Sequence, residues 1–181
     1  MKKIAIIFGI VAGIVPSAMF WIMNPSGDFS PEQMENGQVI GYVTMLIGFA
    51  TIFFAVKSYR DNHLGGSIKF GKAFLVGLYI TLVASIIYAT SWETYISVMD
   101  VNFVEAYHDY MKASLESEGK SPEEIDTTLG ENAEMMDMYQ SNFAFRFLMT
   151  LAEIFPVGLI ISLISALVFS VILKKEKTAT T

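Results

Sequence analysis

Four stretches of this chain carry no acidic or basic side chain: Ile4 to Met23, Val39 to Val56, Phe74 to Trp92 and Phe155 to Leu173. Each is close to the length, about 20 residues, that carries a helix across a hydrocarbon layer about 30 Å thick. A buried helix of a soluble fold would show a polar face over that distance, and a spanning barrel would need alternating segments of about ten residues, which these runs lack. The expected fold is therefore all-α: a polytopic membrane protein forming one membrane domain over 1–181, with a four-transmembrane-helix bundle spanning 4–23, 39–56, 73–92 and 151–173. Composition points the same way, with 53% hydrophobic and 17% charged residues and a mean hydropathy of +0.48, against about 25% charged in soluble domains. The chain has no cysteine and two histidines. Disulfides, thiol chemistry and cysteine metal sites are excluded, and little is left for a histidine cluster.

The basic residues are sorted by side. Lys2 and Lys3 precede the first span, Lys57, Arg60, Lys69 and Lys72 lie between the second and third, and Lys174, Lys175 and Lys177 follow the fourth. By the bias of lysine and arginine toward cytoplasmic loops, both termini are expected inside a bacterial inner (cytoplasmic) membrane. The opposite side carries Lys112, Lys120 and Arg146 among many acids. The first span opens like a signal peptide, yet Pro16 fits poorly three places before a cut after Ala18, and the apolar run continues to Met23. It is read as a retained anchor. Asn24 to Gln38 reads as a short outer connection with turn-forming Pro and Gly, and Asp61 to Gly66 as a compact inner one.

The long connection between the third and fourth spans, centred on 97–145, reads as a helical extracytoplasmic insertion. Val101, Val104, His108, Met111 and Leu115 recur at helical spacing, Gly119-Lys120 interrupts, and Ser121-Pro122-Glu123-Glu124 supplies a cap, an N1 proline and an N3 glutamate for a second helix. Ten acids from Glu105 to Asp137 make this segment anionic, which disfavours nucleic acid as a partner. Within the spans, small residues form seams: Gly9, Ala12, Gly13 and Ser17; Gly41, Gly48 and Ala55; Gly77, Ala84 and Ser91; Gly158, Ser162, Ala166 and Ser170. Such seams let helices approach closely where lipid supplies little hydrophobic drive. Pro16 and Pro156 are read as structural bends.

The candidate functional residues are few. Glu153 falls at the outer edge of the fourth span, where an unpaired carboxylate is costly, and Arg146 and Glu93 are the charges nearest to it in the pattern. His108 lies on the apolar stripe beside Asp109, in a packing role or as a ligand. Lys57, Arg60, Lys69 and Lys72 form a cytoplasmic rim suited to anchoring, with a lipid headgroup or cytosolic protein as the alternative occupant. No phosphate-binding loop, dinucleotide glycine pattern or His-Glu-x-x-His motif occurs. No catalytic residue, cofactor or metal ligand set is assigned.

The strings Lys57-Ser58-Tyr59-Arg60, Gly66-Ser67-Ile68-Lys69-Phe70-Gly71-Lys72-Ala73-Phe74-Leu75-Val76-Gly77 and Phe155-Pro156-Val157-Gly158-Leu159-Ile160-Ile161-Ser162-Leu163-Ile164-Ser165-Ala166-Leu167 resemble a bacterial membrane family known as the domain of unknown function 4199 (DUF4199). The resemblance implies a four-span protein of a kind found chiefly in Bacteroidota, with the variable segment before the last span outside the cytoplasm. It implies no activity, substrate or catalytic residue. The leading functional expectation is a noncatalytic scaffold or accessory protein embedded in membrane lipid, meeting an envelope protein partner or forming a homo-oligomer. A small cation- or proton-linked transporter or channel is the alternative, and a membrane enzyme with dispersed residues the third.

Overall fold

A computed structural model describes residues 1–27 and 29–173; Lys174, Lys175 and Lys177 of the expected inner rim lie outside the described residues. The chain is all-α, with helices α1 (Lys2–Met23), α2 (Pro31–His63), α3 (Phe70–Val98), α4 (Phe103–Ser117), α5 (Pro122–Ser141) and α6 (Phe143–Leu167), the last continued by a π-helical turn, Val168–Ile172. Four of them, α1, α2, α3 and α6 with its π-turn, span the membrane; α4 and α5 are the helical insertion between the third and last spans.

The helices run past the apolar stretches for identifiable reasons. Asn24 to Gln38 is loop only in its first half: Ser30 and Gln33 form a reciprocal capping box with Pro31 in the first turn, so α2 starts eight residues before its hydrocarbon-length run. At 29 residues, α3 is about 44 Å long, well beyond the hydrocarbon thickness of about 30 Å, and its C-terminal turn continues past the apolar run that ends at Trp92. The α2–α3 connection turns on Gly65 and Gly66, both at positive φ (66° and 91°), a region closed to most residues.

Packing order around the bundle is α1, α2, α6, α3, with α1 beside α3 and α3 beside α6 as the closest pairs. The small-residue seams make these approaches. Gly9 and Gly13 sit against Val83, Ala84 and Ile87 of α3; Gly77 lies over Ser162, and Gly158 over Thr81 and Phe49. The pairs Gly77/Ser162, Thr81/Gly158 and Glu93/Arg146 keep a single antiparallel register along α3 and α6. Gly41 has open space around it and Ser91 and Ser170 are half-buried, so those seams tighten toward the middle of the membrane. Pro16 has no N–H to offer the Ala12 carbonyl four residues earlier. Gly48 of α2 packs on that freed oxygen, which turns the missing bond into a place for helix contact.

The core is Met45, Phe49, Ile52, Val56, Val76, Ile80 and Ile154 with small residues between them. The outward faces of the spans carry Ile6, Ile10, Ile14, Val43, Leu46, Ile47, Phe54, Leu82, Ile86, Ile160 and Leu163, an apolar girdle that lipid covers.

The outer helices follow their caps. Asn102 starts α4, accepting from the Glu105 N–H, and Ser121 with Glu124 forms the capping box expected for α5. The Ser121 backbone N–H and its hydroxyl both donate to the Glu124 carboxylate, at 2.9 and 3.0 Å, and hold that carboxyl below its usual range, with Lys120 helping. A group depressed in the folded state contributes stability at neutral pH and loses it as pH falls through the depressed value. The first turn of α5 is therefore expected to fray on acidification below about pH 4, the range where free carboxylates protonate. Amide exchange at Ile125 and Asp126 checks this: protection should fall with acid in the native chain and be low and pH-independent in Glu124→Ala. Equal acid sensitivity in both would contradict it.

Candidate functional site

The C-terminal ends of α1 and α3 and the start of α4 are rich in aromatic residues, and these meet. Phe20 and Trp21 of α1 contact Tyr88, Trp92 and Tyr95 of α3; Phe29 of the first loop contacts Tyr95 and Phe103; Phe103 of α4 lies edge-on to Trp92 and 5.3 Å from the ring of Tyr139 on α5. Two of these rings are fixed by hydrogen bonds at their polar ends. The Tyr95 hydroxyl donates to the Asn24 carbonyl at 2.7 Å, and the Trp92 indole N–H donates to the Tyr139 hydroxyl at 2.8 Å. Burial, above all, pushes the Tyr139 phenol up to about 12, the Trp92 bond and Arg146 pulling the other way and the Glu93 and Glu153 carboxylates adding to the rise. Tyr139 is thus a neutral acceptor at physiological pH.

Beside this cluster the structure brings together two of the sequence candidates. Arg146, on the first turn of α6, donates through Nε to Glu93 Oε1 at 2.9 Å and through Nη2 to Glu93 Oε2 at 2.7 Å. Its Nη1 donates to the carbonyls of Tyr139 and Gln140 at 3.0 and 3.3 Å. The side chains are only 12% (Glu93) and 16% (Arg146) exposed. A planar guanidinium suits this fork, and one side chain here ties α3, the end of α5 and the start of α6. All three guanidinium nitrogens and both carboxylate oxygens are engaged, so the arrangement acts as a clamp.

Glu153 lies two turns below Arg146 on the same side of α6, is exposed at the protein surface, and has no hydrogen bond or ion pair among the described residues. Arg146 goes to Glu93 instead, because Glu93 sits directly opposite in the α3–α6 register while Glu153 is about 10.5 Å further along the same helix. His108 belongs to neither group. Its side chain is 54% exposed, with Nδ1 3.5 Å from Asp109, and it lines a cleft between α4 and α5 with Val104, Met111, Leu129 and Met136. Of the four candidates, Glu93 and Arg146 meet, while Glu153 and His108 stand apart from that pair.

At the end of the bundle opposite the cap Lys57, Lys69 and Lys72 are exposed, but Arg60 is buried, only 4% exposed. It pairs with Asp61 (Nε to Oδ1 2.8 Å, Nη2 to Oδ2 3.2 Å), donates to the Leu173 carbonyl at 3.0 Å, and lies over the Phe169 ring at 5.0 Å. A π-helical turn leaves carbonyls without their usual helical partners, and Arg60 takes up one of them. Its burial was not legible from the string Lys57-Ser58-Tyr59-Arg60, since the partner lies 113 residues away. The aromatic cluster was also missed; the helical spacing of Tyr88, Trp92 and Tyr95 is the signal that pointed to it.

Among the described residues no three histidine, aspartate or glutamate side chains converge as a metal site. No curated protein and no solved structure matches the chain. A family model does, over residues 7–170, and it covers all four spans and the cap: the chain belongs to the family described as "Protein of unknown function (DUF4199)".

Proposed function

We propose that this multi-pass protein is a noncatalytic scaffold or accessory component of a bacterial inner membrane, with both termini cytoplasmic and the α4–α5 cap outside, where it meets another envelope protein or a second copy of itself. The observation that carries the reading is the joint between bundle and cap: a satisfied ion pair and an aromatic cluster hold two acidic helices as a fixed extension of the spans, a construction suited to presenting a surface. Charge supports the orientation, since the rim lysines gather on the side opposite the cap. Because the chain has no cysteine, Glu118→Cys gives a single reporter. It is expected to react with a membrane-impermeant maleimide in intact cells; protection until lysis would reverse the topology. Cross-linking before mild solubilisation is expected to recover a stoichiometric partner or a dimer. Recovery only as an unaccompanied monomer would remove the scaffold reading.

A second reading, a cation- or proton-linked transporter, is favoured by Glu153, a carboxylate with no ion-pair partner among the described residues, in an apolar span. The hydroxyls of Thr81 and Ser162, 3.2 Å apart, and those of Ser85 and Ser165, which have no hydrogen-bond partner among the described residues, add buried polar groups to the bundle centre. Flux in sealed liposomes that is abolished by Glu153→Gln would establish it, and absence of flux under proton and cation gradients would exclude it.

A further inference from the structure

The cleft between α4 and α5 is apolar, yet it holds soft donor atoms. Met111 and His108 of α4 and Met136 of α5 all line it, with Asp137 at its edge. His108 and Met111 stand one turn apart on α4, and Met136 of α5 lines the same cleft, so one imidazole and two thioethers border a common space between the two helices. Asp109 lies 3.5 Å from His108 Nδ1. A carboxylate there favours the tautomer protonated at Nδ1 and leaves the Nε2 lone pair for a ligand.

Two thioethers and one imidazole are a donor set for a soft monovalent cation, Cu(I) or its redox-inert counterpart Ag(I), and a poor one for Mg(II) or Ca(II). The surrounding acids raise the local concentration of cations without providing a rigid hard-ligand cage. We propose that His108, Met111 and Met136 form a Cu(I)/Ag(I)-binding site in the cap. This goes beyond the scaffold reading and stands or falls independently of it: a metal site would survive the loss of any protein partner.

The test is titration of Ag(I) into the full chain in detergent, with native mass spectrometry to count bound ions. One tightly held Ag(I) per chain is expected. Met111→Leu/Met136→Leu, which keeps the apolar volume, and His108→Ala are each expected to weaken it at least tenfold with unchanged helical content. Met135→Leu/Met138→Leu, on α5 but outside the cleft, should bind as the native chain does. Cu(I) loaded under anaerobic conditions should show sulfur and nitrogen neighbours by X-ray absorption. Native affinity no higher than that of the Met111→Leu/Met136→Leu variant, an equal loss in the Met135→Leu/Met138→Leu control, or a Cu(I) shell without sulfur would each overturn the proposal.

Discussion

Replacing Arg146 with methionine is expected to destabilise the protein by about 3–5 kcal/mol, the cost of leaving a largely buried partner charge uncompensated. Glu93 would lose both of its short contacts, and the carbonyls of Tyr139 and Gln140 would lose their donor. The informative measurement is a double-mutant cycle. Glu93→Gln/Arg146→Met removes both charges, and well-packed neutral replacements of buried pairs are often nearly as stable as the pair itself, so the double variant should recover most of the loss. Unfolding in mixed micelles gives the three free energies. Additive single losses would mean that the two side chains act separately, and the clamp would be abandoned. Arg146→Lys should fall between, because an ammonium keeps the charge but cannot reproduce the two parallel bonds to the carboxylate.

Gly48→Ala and Gly41→Ala are expected to move stability in opposite directions, although both sit in α2 and belong to one seven-residue repeat. Alanine is the better helix former by up to about 1 kcal/mol, and at Gly41 nothing lies within 4 Å of the added methyl. That variant should be neutral or more stable. At Gly48 the methyl carbon would stand 2.6 Å from the Ala12 carbonyl oxygen. A backbone atom cannot rotate away, so α1 and α2 must separate, at a cost of about 1–3 kcal/mol. The same unfolding assay distinguishes the two. If Gly48→Ala matched Gly41→Ala, the close approach of α1 and α2 at Pro16 would be wrong.

The contrast between these glycines shows where sequence reasoning stops. Both appear as small residues at regular spacing, and periodicity identifies a seam without saying how far along it the partner helix stays close. The two prolines behave alike in this respect: each marks a missing backbone bond, but only the packing of Gly48 on Ala12 says what use the freed carbonyl has. Arg60 was legible as a basic residue at the membrane rim and turned out to be buried under the end of the last span. The local string contains nothing of Phe169 or Leu173, with which it is paired in space.

Hydropathy alone was enough for the four spans, because hydrocarbon forbids exposed backbone and charge over about 20 residues and only an apolar helix meets that condition. The two cap helices were readable for a similar reason: capping is local, and Ser121 reaches Glu124 whatever the rest of the chain does. Which candidate residues meet depended on the register of α3 against α6, a sum of many close contacts between distant segments. That register gives Arg146 to Glu93 and leaves Glu153 without an ion pair among the described residues, while the packing of α4 on α5 places His108 in a cleft with two methionines.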